Sequence, residues 1–97
     1  MQTIHTIKMI VSDPTVRNGR PCLAGTGLRV TDVVIAHNFH DQSPDEIAVN
    51  YGVPLAAVYA ALAYYYDNKA ALDADIREQI QQAQALKAQY GSDSLLP

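Results

Sequence analysis

Three groups of residues in this sequence have types that could do chemistry. His37 and His40 stand three apart, with Asp41 adjacent and His5 elsewhere in the chain, so two imidazoles on one helical face could share a metal ion. No further ligand follows at a recognisable spacing, and the expectation is surface or half-buried histidines without a metal. Cys22 is the only cysteine. A thiol nucleophile needs a general base, and no Cys-His arrangement is legible, so Cys22 is expected to be a small buried hydrophobe. Standing alone, it excludes an internal disulfide and a multi-cysteine zinc site, and it fits a reducing compartment. The glycines from Gly19 to Gly25-Thr26 have the flavour of a phosphate loop, but five residues intervene where a Walker loop has four, and no lysine follows. Turn formation explains them better. From these residues we expect no enzyme, no metal and no cofactor.

The remaining chemistry is that of charge and apolar surface. Seven Lys and Arg against ten Asp and Glu leave a net charge of -3, so the chain as a whole does not bind nucleic acid as a polycation. Split at Val30, the balance changes sign. Lys8, Arg17, Arg20 and Arg29 face only Asp13 in the first thirty residues, whereas Lys69, Arg77 and Lys87 face nine acids in the rest. Arg17, Arg20 and Arg29 are therefore the candidate DNA-binding residues, with a few solvated arginines beside loops as the bland reading.

Those side chains need elements to hold them. Ninety-seven residues suffice for one domain around one core. Ile4, Ile7, Ile10 and Val11 with two threonines predict a first strand from Thr3 to Val11, ended by Asp13-Pro14. Cys22-Leu23-Ala24 and Leu28-Arg29-Val30 around Gly25-Thr26-Gly27 predict two short strands joined by a glycine turn. Thr31 can cap a first helix with Val33, Val34, Ala36 and Phe39 on its apolar side, ending near His40. Ser43-Pro44-Asp45-Glu46 starts a second, with a capping hydroxyl, Pro at the first helical position and acids at the positive end of the dipole. That helix stops near Tyr51-Gly52, and Pro54 opens a third that runs through Tyr66 and relaxes at Asp67-Asn68. Leu72, Ile76, Ile80, Ala83 and Tyr90 recur at helical spacing, so a long amphipathic fourth helix reaches about Tyr90.

The fold expected is mainly α: a short N-terminal β region over 1–30, a three-helix, helix-turn-helix-like core over 31–68, a C-terminal helix over 69–90 and a frayed tail over 91–97. The uncharged run from Val53 to Tyr66 is shorter than the roughly 20 residues of a spanning helix, and no signal-peptide pattern precedes it. A cytoplasmic, membrane-free protein is expected.

From Leu55 to Tyr66 there is no charge, amide or Ser/Thr hydroxyl, and Tyr64, Tyr65 and Tyr66 point in three directions about 100° apart. No single core face covers all three, so part of this helix should be covered by a second molecule. Tyr59, Tyr64, Tyr65, Tyr66, Leu72, Ile76 and Ile80 are the candidate dimer or partner interface, and a homodimer is expected. Base reading from such a third helix requires Arg, Lys, Asn or Gln on its exposed N-terminal face, and Ala56, Ala57, Tyr59 and Ala60 stand there instead.

Gly19-Arg20-Pro21-Cys22-Leu23-Ala24-Gly25-Thr26-Gly27-Leu28-Arg29-Val30-Thr31-Asp32-Val33 resembles a prokaryotic family of domains of unknown function, number four-three-three, related to VapB-type antitoxins. The likeness continues through Ser43-Pro44-Asp45-Glu46-Ile47 and Val58-Tyr59-Ala60-Ala61-Leu62-Ala63-Tyr64-Tyr65, covering about Ile10 to Asn68. The resemblance implies a homeodomain-like three-helix fold after a small β element, and an antitoxin role beside a PIN-like nuclease toxin. Contact with operator DNA through the basic β region is a further expectation, drawn from the charge split. Two positions depart from the family pattern: Gly27 stands at its arginine, with Arg29 two residues on and on the same face of a strand. Pro54, Ala56 and Ala57 replace its polar helix start. The alternatives are a stand-alone helix-turn-helix regulator and, from a different class, a small enzyme using Cys22 or the histidines.

Overall fold

The computed structural model describes residues 1–5 and 7–90, and the expected tail lies outside them. The protein is mainly helical: a two-stranded antiparallel sheet, β1 (Ile10–Val11) and β2 (Cys22–Leu23), then α1 (Val30–Asn38), α2 (Pro44–Tyr51), α3 (Leu55–Asp67) and the long α4 (Lys69–Tyr90). A short 3-10 turn, Arg17–Gly19, separates the strands.

Two sequence expectations are corrected at the N-terminus. The strand predicted from Thr3 survives only as Ile10–Val11, pairing Ile10 with Leu23 and Val11 with Cys22. Its partner offers two residues, and a strand extends only as far as there is a ladder to join. Ile4 and Ile7 are left exposed. The second predicted hairpin arm, Leu28 to Val30, is reduced to an isolated bridge between Cys22 and Arg29. Gly25 turns the chain at φ +76°, and Thr26 closes the turn by donating its hydroxyl to the Leu23 carbonyl at 2.8 Å and accepting the Leu28 N–H at 3.1 Å.

Helix α1 starts two residues earlier than predicted, and Thr31 is not its cap. Arg29 occupies the cap position, and the Asp32 carboxylate reaches back to accept its N–H at 2.9 Å. Thr31 is instead buried inside the helix. Helix α2 begins as its sequence dictates: the Ser43 hydroxyl accepts the Glu46 N–H at 3.1 Å and Glu46 accepts the Ser43 N–H at 3.0 Å, a complete capping box. Gly52 ends it in the left-handed region at φ +65°.

Leu23, Val30, Val33, Val34, Ile47 and Val58 are fully buried at the centre, and Ala57, Ala61, Leu62, Tyr65, Leu72 and Ile76 close around them. The cluster draws on β2 and all four helices, with α3 buried along one side. Asn68 breaks the helix between α3 and α4, donating its side-chain amide to the Tyr64 carbonyl at 3.0 Å. The corner is tied by Asp73, which accepts the Tyr65 hydroxyl at 2.6 Å and the Lys69 ammonium at 2.7 Å. The radius of gyration is 15.9 Å, against about 12.5 Å for a compact chain of this length. Helix α4 runs past the core, and its residues from Ile80 to Tyr90 are all exposed.

Candidate partner and nucleic-acid surfaces

The three arginines singled out by charge meet different fates. Arg20 forks onto Asp75 of α4, with Nε 3.2 Å from Oδ2 and Nη2 3.2 Å from Oδ1. Asp75 also accepts the Gln79 amide at 3.2 Å, and Gln79 donates to the Thr31 hydroxyl at 3.2 Å. This chain of contacts joins the segment before β2 to α1 through α4, and it satisfies the otherwise buried Thr31 hydroxyl. Arg29 pairs with Asp32 at 2.8 Å on the first turn of α1. Arg17 alone keeps its guanidinium clear of any carboxylate, with one bond from Nη1 to the Gly27 carbonyl at 3.3 Å. Arg17, Asn18 and Gly19 all have positive φ, a coil that presents Arg17 outward. An arginine already paired with a carboxylate is neutralised locally and costs more to recruit for a phosphate.

Beside Arg17 lies a cavity of about 390 Å³ lined by Val11, Asp13, Val16, Cys22, Gly25, Thr26 and Gly27. Cys22 is buried as expected, and burial pushes its thiol up from the usual range. Its Sγ donates to the Arg20 carbonyl. Asp13 at the rim is held below the usual carboxylate range by the Thr15 N–H and hydroxyl. Of the histidines, His37 bonds through Nδ1 to the Gln42 carbonyl at 2.9 Å and closes the α1–α2 loop. Among the described residues no group of three or more His, Cys, Asp or Glu could hold a metal ion.

Helices α2 and α3 bend by 119° across Gly52–Pro54. No single described helix is long and apolar enough to cross a membrane. The tyrosines of α3 divide. Tyr65 is 4% exposed and belongs to the chain's own core, Tyr64 is half-buried, and Tyr59 and Tyr66 are 53% and 64% exposed. Leu55, Tyr59, Ala63 and Tyr66 form the outward stripe, next to a groove of about 670 Å³ bounded by Ile7 and Ile10 on one side and by Ala60, Ala63, Tyr64, Tyr66 and Asp67 on the other.

The fourth-helix stripe divides as well. Leu72 and Ile76, expected to face a partner, are 6% and 4% exposed within the chain. Ile80, Ala83 and Leu86 continue the same face past the end of the core, with Ile80 38% and Leu86 55% exposed. Sequence reasoning missed Leu86, although its spacing from Ala83 places it on that face. It also missed Asp75 and Gln79, whose roles depend on residues far away in the chain.

The family model described as "Protein of unknown function (DUF433)" matches residues 10–65. No curated protein and no solved structure matches the chain.

Proposed function

Starting from the fact that this chain belongs to the DUF433 family, we propose that it is an antitoxin-like, non-enzymatic protein that works as a homodimer and captures a PIN-like nuclease with the outer half of α4. The observation that carries this reading is the continuation of the α4 stripe. Leu72 and Ile76 seat the helix on its own core, and Ile80, Ala83 and Leu86 extend the same apolar face beyond it. Anchors three and four apart on a projecting helix suit insertion into an apolar groove of a protein partner. The 119° bend between α2 and α3 supports a helix-turn-helix ancestry, since such pairs cross at about 90–120°. The outer face of α3 lacks base-reading side chains, so contact with operator DNA falls to the basic N-terminal region, where Arg17 is the one of Arg17, Arg20 and Arg29 without a carboxylate partner among the described residues.

The test is to look for a small PIN-like nuclease gene beside this one and to co-express its product with the full chain; a neighbourhood without such a gene counts against the reading. Wild type should co-purify with that nuclease and suppress its activity, and an Ile80→Asp, Leu86→Asp double variant should keep its fold and lose both effects. Undiminished capture by the double variant would refute this assignment of the helix.

A further inference from the structure

We infer that the outer face of α3 and the N-terminal arm beside it form the seam across which two copies of this chain meet about a twofold axis. The inference rests on the homodimer of the proposed function and specifies its surface.

Self-complementarity identifies the occupant. The groove along α3 is lined by aliphatic side chains and by Tyr64 and Tyr66, and its one charged group is Asp67. The arm that borders it carries exposed Ile4 and Ile7, 86% and 80% exposed, and one cation, Lys8, which has no ion pair among the described residues. One chain thus holds an apolar trough with an acid and an apolar arm with a base. A second copy supplies each complement at once, the condition for an isologous interface. Size agrees. Ile4, Ile7, Tyr59 and Tyr66 are each more than half exposed, with exposed Leu55 and Ala63 between them, a continuous face of the kind that a stable interface of about 800 Å² per partner buries. Shape agrees too. Ala56, Ala60 and Ala63 keep this side of α3 low, so two such helices can approach at the roughly 8 Å lower limit of helix packing, with Tyr59 and Tyr66 flanking the crossing. Nucleic acid is a poor occupant, because the outer face of α3 carries an acid, Asp67, and neither a cation nor a base-reading side chain, and the arm's Lys8 is taken up by that acid in the paired copy.

Light scattering of the full chain at micromolar concentration should report a dimer. Tyr59→Asp with Tyr66→Asp, both exposed and outside the core, should give a monomer with an unchanged far-ultraviolet spectrum. Ala63→Cys, close to the axis, should cross-link in high yield with oxidised glutathione, while Ala83→Cys on α4 should not. A wild-type monomer would overturn both the seam and the homodimer. A wild-type dimer that survives the tyrosine substitutions and fails to cross-link through Ala63→Cys would overturn the seam alone.

Discussion

Ile76 and Ile80 lie one helical turn apart on the same face of α4, yet they should respond very differently to truncation. Ile76 is 4% exposed and packs in the core cluster, so Ile76→Ala removes buried carbon and leaves a void. Near the edge of the core, where neighbours relax partly, that costs about 2–3 kcal/mol. For a domain of this size the expected loss of Tm is roughly 10–20 °C. Ile80 is 38% exposed and its neighbours further along the helix are all exposed, so Ile80→Ala should cost below about 1 kcal/mol and shift Tm by only a few degrees. Thermal melts followed by circular dichroism at 222 nm, at matched protein concentration, measure both. Equal losses would show that the outer half of α4 is packed in the isolated protein, and the reasoning that assigns it to a partner would fail.

Removing the α2 cap with Ser43→Ala should cost about 1 kcal/mol, read as a lower urea midpoint with an unchanged slope. Acid should destabilise the fold through Glu46 and Asp73: the Ser43 N–H holds Glu46, and the Lys69 ammonium, then the Tyr65 hydroxyl, hold Asp73, below the usual carboxylate range. Because these folded-state values are depressed, their contribution is complete above the unfolded pKa of about 4 and is lost as pH falls through the folded values. Urea titrations between neutral pH and acid should show a falling midpoint in that window, and a midpoint flat down to the lowest pH would contradict it.

The parts of the fold legible in the sequence were those written locally. Ser43-Pro44-Asp45-Glu46 and Gly52 bracket α2 because a cap, its box partner and a left-handed stop all act within a few residues. The first strand was overextended because strand length depends on a partner far away, and β2 has only two residues to give. Thr31 was misread as a cap because Asp32 caps as well from inside the helix, while the Thr31 hydroxyl finds Gln79, forty-eight residues later. Arg20 looked like a free cation for the same reason, since its carboxylate stands fifty-five residues on. In α4 the spacing of apolar residues is uniform, so periodicity showed a stripe and could not show where along it the core stops.

That stopping point has a kinetic and thermal meaning. Starting a helix in water requires fixing several residues before the first hydrogen bond forms, and a free segment of about ten residues stays largely unwound. The outer turns of α4 do not face that barrier. Leu72, Ile76 and the Arg20–Asp75 fork hold a finished helical end in place, and each further turn merely adds to it. The reach of the projecting segment is therefore graded rather than all-or-none: it shortens turn by turn from Tyr90 inward as temperature rises, while the anchored turns melt only with the domain. Hydrogen exchange along α4 should follow that gradient, with protection highest near Ile76.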